Sequence, residues 1–213
     1  MDVRRAILVA VSFVLLLSPI AGAAPPTAAT HPLLVCYGDS ITAGYGLPYG
    51  QSYPDQLQKI LNAEGYHYTV RNLGSSGATT TDALANLSSV LRLHPAVVIV
   101  EFGGNDGLRG LPLAKSSQNL DQIITALQNA HVRVLIAGIT LPPNYGQDYI
   151  RAFDQIFSTL AAQHHVALVP MIYKNLINVP GTLQADGTHP TAKGAKIVAQ
   201  TIWPTLKQLL KKQ

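Results

Sequence analysis

The sequence predicts an α/β fold, a three-layer α/β/α sandwich around a five-stranded parallel sheet, and three observations lead there. Short apolar runs of strand length alternate along the chain with longer segments whose apolar residues recur at helical spacing. Runs such as LLVCY and AVVIV are apolar throughout, as strands buried on both faces are. Loops rich in Gly, Asn and Asp follow them, and strands joined through helices pair in parallel because that connection needs a crossover.

At 213 residues the chain is long enough for one domain whose core needs no metal or disulfide. Residues 1–23 are not expected in it. Arg4 and Arg5 precede an apolar run from Ala6 to Ile20, and Ala21-Gly22-Ala23 supplies the small residues of a cleavage site, the pattern of a signal peptide. The run is short for a membrane span, so the mature chain is expected to be periplasmic or secreted, with no stable membrane insertion after leader cleavage. Residues 24–32, rich in Ala, Pro and Thr, read as a short tether, and the domain as residues 33–213.

Losing the leader removes Asp2, Arg4 and Arg5, so the formal net charge of +4 becomes +3. This balance, without basic and aromatic interleaving or zinc-ligand spacing, excludes nucleic-acid binding and a structural metal from the expected functions. Cys36 is the only cysteine, so no internal disulfide can form, and its place in the first strand predicts a buried packing role. The expected partner is a small-molecule substrate, bound by a monomer.

In chain order, Leu33 to Tyr37 is the first strand and stops at Gly38. From Ser52 to Glu64, Tyr53, Leu57, Ile60 and Leu61 recur at helical spacing, with Gly65 as a natural stop. Tyr68 to Leu73 is the second strand. Thr79 to Leu93 carries Leu84, Leu87, Val90 and Leu91 on one helical face, closed by Pro95, and Ala96 to Phe102 is the third strand. Gly103 to Lys115 reads as a loop, Ser116 to Ala130 as a helix and Val132 to Ile139 as the fourth strand. A loop from Leu141 to Gly146, a helix from Asp148 to Gln163 and a fifth strand from Val166 to Pro170 follow. Lys174 to Ile177 reads as a short helix, and Thr191 to Leu210 as a closing helix interrupted or bent at Pro204.

Chemistry concentrates where strands end, on the edge at which open α/β sheets bind ligands. Gly38-Asp39-Ser40-Ile41-Thr42 places a hydroxyl directly after the first strand, which makes Ser40 the candidate nucleophile. The same residues could serve as a turn or helix cap, and the stretch lacks the second glycine of a G-x-S-x-G elbow. A serine nucleophile needs a base, a group orienting the base, and donors aimed at the oxyanion. His189 is the candidate base, with Asp186 three residues earlier able to reach its Nδ1. The other six histidines, His31, His67, His94, His131, His164 and His165, are read as surface or packing residues. The N–H of Ser40, a glycine N–H from Asn72-Leu73-Gly74-Ser75-Ser76-Gly77 and the side chain of Asn105 in Gly103-Gly104-Asn105-Asp106 would supply the oxyanion hole. Two further strand-end loops are unusually apolar, and Gly107, Leu108, Leu111, Leu141, Pro142 and Tyr145 are expected to line an acyl groove.

GDSIT, NLGSSG, GGND and DGTHP, in this order, resemble the four blocks of the GDSL, or SGNH, hydrolases across essentially the whole mature chain. More narrowly, VEFGGNDGLRG and LPPNYG resemble the periplasmic thioesterase, arylesterase and lysophospholipase branch. The resemblance implies a flavodoxin-like strand order, no cofactor, Ser40 as nucleophile, Asp186 and His189 as the rest of the triad, and Gly77 and Asn105 as oxyanion donors. Gly74 is the alternative to Gly77, whose spacing from Asn72 is the better match. Ala78 departs from the branch, which usually has an acidic residue there, and leaves the triad untouched. The implied activity is hydrolysis of carboxylic esters and thioesters through an acyl-enzyme, with a carbohydrate acetyl esterase of the same family as the alternative. Two rivals weigh less: a flavin-phosphate cradle would set Asp39 beside a phosphate, and a sugar-binding module has no need of Ser40, Asp186 and His189 together.

Overall fold

The computed structural model describes residues 31–212; the expected signal peptide, and the tether as far as residue 30, lie outside the described residues. Strands β1 (Leu33–Gly38), β2 (Thr69–Gly74), β3 (Val97–Glu101), β4 (Arg133–Ala137) and β5 (Ala167–Val169) form one sheet in the order β2-β1-β3-β4-β5. Every neighbouring pair is parallel. The helices are α1 (Ser40–Ala43), α2 (Tyr53–Ala63), α3 (Thr80–Leu91), α4 (Gly104–Leu108), α5 (Leu113–Asn129), α6 (Gln147–His164) and α7 (Ala192–Leu209). One group pairs α2 with α7, the other runs α3, α5, α6, and together they flank the sheet.

The central strands are buried from end to end, which is why their sequences show no alternation. At the open edge, β2 is mostly exposed and carries Thr69, Arg71 and Asn72. Helices α2, α3 and α7 begin at Ser52, Thr79 and Thr191, hydroxyl residues suited to the free amides of a first turn.

Ser40 directly follows β1, as expected, and begins the single turn of α1, with Asp39 as its cap. Four sequence expectations change. Gly103–Lys115 is not one loop: it contains α4, and α5 starts at Leu113, directly after Pro112. The cause is tertiary, since Asp106 accepts hydrogen bonds from the Thr80 N–H at 2.9 Å, the Thr80 hydroxyl at 2.6 Å and the Ser116 hydroxyl at 3.0 Å, which ties α4 to α3 and α5. Lys174 to Ile177 forms turns instead of a helix, and the turns end at Asn178 in a left-handed conformation (φ +64°) before Pro180. Of the interruption or bend expected at Pro204, the interruption does not occur: α7 runs through Pro204 to Leu209. Leu141–Gly146 also holds one 3-10 turn, Pro143–Tyr145.

Candidate active site

The strand order turns back between β1 and β3, because the chain leaves β1 toward β2 and returns to β1's other side. Such a switch point opens a crevice at the carboxyl ends of the strands, and Ser40 follows β1 while Asn105 follows β3 on either side of it. The turn carrying Ser40 is fixed by the Asp39 carboxylate, which accepts from the Ile41 N–H at 3.0 Å, and by left-handed Gly44 at its end. Asn72 clamps it from the edge strand, its side-chain amide donating to the Thr42 carbonyl at 2.8 Å.

Ser40 Oγ lies 2.8 Å from His189 Nε2, and His189 Nδ1 lies 2.7 Å from Asp186 Oδ2. The other Asp186 oxygen accepts from the backbone N–H groups of Thr188 at 2.9 Å and His189 at 3.0 Å, so one carboxylate orders both the ring and its loop. Those donors hold the Asp186 carboxyl down at about 2 from an ordinary 3.8, the His189 backbone N–H acting most, then that of Thr188, then the His189 ring. A depressed carboxyl favours the folded state while it is ionised, so its contribution is complete above about pH 4 and is lost as pH falls through about 2. Asp186→Asn is expected to flatten the decline of Tm over that interval in scanning calorimetry; an unchanged acid slope would show that these donors do not hold the carboxylate.

Among the described residues, the N–H groups of Ser40 and Gly77 have no acceptor. Both residues border a cavity of about 560 Å³, together with Asn105 and His189. Gly74 differs from Gly77: its N–H is taken by the Asn72 side chain at 2.9 Å, and a Cβ there would stand 2.1 Å from the Ala43 nitrogen. Asn105 is not a free donor, because Nδ2 gives hydrogen bonds to Asp39 Oδ2 and to the Ala78 carbonyl, each at 3.0 Å. An oxyanion at Asn105 must share or displace the Ala78 carbonyl.

Of the expected groove residues, Leu108, Leu141 and Pro142 line the cavity. Gly107, Leu111 and Tyr145 do not. Gly107 is packed beneath Leu141 and Phe153, where a Cβ would come within 2.9 Å of each, and the Tyr145 hydroxyl donates to the Leu108 carbonyl at 2.8 Å, joining the two loops from outside. Sequence reasoning missed Tyr45, Ile139, Met171, Ile177 and Leu183, which complete the apolar wall. It also missed Arg109, which donates to the Gly77 carbonyl at 2.9 Å, and Gln184, which donates to Tyr45 O at 2.7 Å and Pro190 O at 2.9 Å. Tyr45 in turn lies against His189, ring centroids 4.7 Å apart. The local signal for these was slight, one basic residue after GGND and one aromatic after GDSIT. His164 takes the packing role read for it: its Nε2 is 2.7 Å from Asp121, linking α5 and α6. Cys36 is buried in β1 and desolvation drives its thiol pKa upward, which leaves it inert. Among the described residues no cluster of three His, Cys, Asp or Glu side chains could hold a metal ion.

Known proteins are similar to this chain in sequence and fold. A profile of the GDSL-like lipase/acylhydrolase family matches residues 36–197. Esterase TesA of Pseudomonas aeruginosa is 45% identical over 184 residues, 86% of this chain and 91% of that protein. The thioesterase 1/protease 1/lysophospholipase L1 of Escherichia coli is 35% identical over 185 residues, covering 86% and 87%. A crystal structure of TesA superposes with a TM-score of 0.81 at 44% identity, over 84% of this chain and 99% of that one. By fold, motif order and extent of match, the chain belongs to the GDSL-like lipase/acylhydrolase family.

Proposed function

We propose that this esterase hydrolyses carboxylic esters and thioesters through an acyl-enzyme on Ser40, with His189 as general base and then acid and Asp186 holding the imidazole. The observation that carries the reading is the unbroken chain Ser40 Oγ–His189 Nε2 (2.8 Å) and His189 Nδ1–Asp186 Oδ2 (2.7 Å) at the mouth of an apolar cavity. In the first step His189 takes the hydroxyl proton as Oγ attacks the acyl carbon, and the oxyanion forms beside the N–H groups of Ser40 and Gly77. His189 then protonates the departing alcohol or thiol, and water repeats the sequence to release the acid. Asn105 joins as third donor when its contact with Ala78 yields.

The cavity wall supports aryl esters, acyl-CoA and lysophospholipids over short acetylated sugars, because Leu141, Ile139 and Met171 offer an acyl chain little to hydrogen-bond and much to bury. Each methylene transferred there contributes about 0.8 kcal/mol, roughly fourfold in kcat/KM. Rates on p-nitrophenyl and acyl-CoA esters from acetyl to dodecanoyl are expected to climb with chain length and then level off, and Leu141→Asn should flatten the climb. A flat series in the parent enzyme would exclude an acyl channel, and a preference for acetyl sugars would favour the carbohydrate esterase reading.

The leader pattern supports export of the enzyme. Among the described residues no helix is long and apolar enough to cross a membrane. The intact mass of the exported protein should correspond to loss of residues 1–23; a retained leader would mark an uncleaved anchor.

A further inference from the structure

Beneath Ser40 lies a pair of acids that the triad does not use. Glu101 ends β3 and is fully buried, and its Oε2 accepts from the Thr42 hydroxyl at 2.7 Å and from the Asp39 N–H at 3.4 Å. Its Oε1 is buried with no hydrogen-bond partner among the described residues. Asp39, only 3% exposed, keeps different company: Oδ1 accepts from the Ile41 N–H and Oδ2 from Asn105 Nδ2, both at 3.0 Å. The two acids adjoin in this buried space, with the Asp39 N–H turned toward Glu101 Oε2. Gly38 closes the space above them, since a Cβ there would stand 2.6 Å from Glu101 Oε2 and 2.0 Å from Thr42 Oγ1.

Two carboxylates buried side by side and away from water cannot both ionise near neutral pH. The proton belongs on the oxygen without a donor, Oε1 of Glu101, because both Asp39 oxygens already receive N–H groups that favour its charged form. We infer that Glu101 is a positioning residue, kept as a neutral acid that donates to Asp39, which as a carboxylate holds the Asn105 amide with Nδ2 facing the acyl site. A protonated Asp39 would instead donate to the Asn105 carbonyl and turn the amide over, leaving no third oxyanion donor. Burial drives the Glu101 carboxyl well above the usual carboxylate range, with the Asp39 charge adding to it; burial raises the Asp39 carboxyl too, but there it is opposed by the Ile41 amide first and then by its other donors. The inference rests on Ser40 as nucleophile and Asn105 as oxyanion donor.

Two variants separate this role from mere packing. Glu101→Gln keeps a donor for Asp39 and an acceptor for Thr42, whereas Glu101→Leu keeps bulk and removes both. With p-nitrophenyl butyrate, kcat is expected within about threefold of the parent for Glu101→Gln and at least about tenfold lower for Glu101→Leu, with KM held within about twofold in both. Infrared spectra of the parent at neutral pH should show the carbonyl stretch of an un-ionised carboxylic acid, and Glu101→Gln should lose it. A Gln variant as slow as the Leu variant, a Leu variant as fast as the parent, or a band that is missing in the parent or survives in Glu101→Gln overturns the inference. Should Glu101→Leu fail to fold, the Gln variant and the band decide by the same criteria. The infrared result does not depend on Ser40, so undiminished hydrolysis by Ser40→Ala would remove the proposed mechanism while leaving the acid pair to be judged separately.

Discussion

Ser40→Ala is expected to lower kcat by on the order of 10⁴ to 10⁶ while the protein keeps its Tm within a few degrees. The hydroxyl has one side-chain partner, His189 at 2.8 Å, and Ser40 is partly exposed at the cavity edge, so truncation opens no core void and strands no buried donor. What remains is a backbone N–H that alanine still offers, which is why the residual rate should exceed that of the uncatalysed reaction. A phosphonate ester that labels serine nucleophiles should modify the parent at Ser40 and the variant nowhere. Ser75 and Ser76 lie in the neighbouring loop before Gly77, and an adduct mapped to either, or to any other serine, would refute the assignment.

Asp186→Asn is expected to cost about 10³ to 10⁴ in kcat with KM changed only a few-fold. One asparagine oxygen can still accept from the Thr188 and His189 backbone N–H groups and keep the loop in place. Its amide nitrogen then faces His189 Nδ1 and donates to it, which moves the imidazole proton to Nε2 and leaves nothing to accept the Ser40 proton. The opposite rotamer restores the tautomer but points an NH₂ group at two backbone donors, so neither orientation serves. Unchanged kcat would mean that some other group orients His189. His189→Ala should be at least as damaging, and the double variant no worse than the worse single one, because the residues act as a unit.

The two results draw on different kinds of legibility. Asp186 and His189 are three residues apart on one turn closed by Gly187, so their pairing is a local matter that the order of residues can express. Ser40 is 149 residues from His189, and only the habit of parallel sheets, which collect strand-end loops on one edge, brings them into one frame. Leu108 and Leu111 show where such reasoning stops: both are apolar and both follow β3, yet only Leu108 lines the cavity. The path of the intervening residues decides this, and Asp106 sets that path through bonds to Thr80 and Ser116.

The sequence by itself determined the α/β class, the parallel pairing and the positions of the five strands to within a residue or two, because burial on both faces and helical spacing are written in consecutive residues. It also placed the loops that bring Ser40, Gly77, Asn105 and His189 to the crevice. Only the tertiary structure decided that α4 is a helix, that the Gly74 N–H is already taken while that of Gly77 is not, and that Arg109 and Tyr45 brace Gly77 and His189. Glu101 is the extreme case, a single acid in a run of valines and isoleucine whose meaning depends on Asp39, 62 residues away, and on the burial of both. Periodicity reports which face of an element is buried. What a buried polar atom faces, and therefore whether it carries a proton, is set by packing between distant segments.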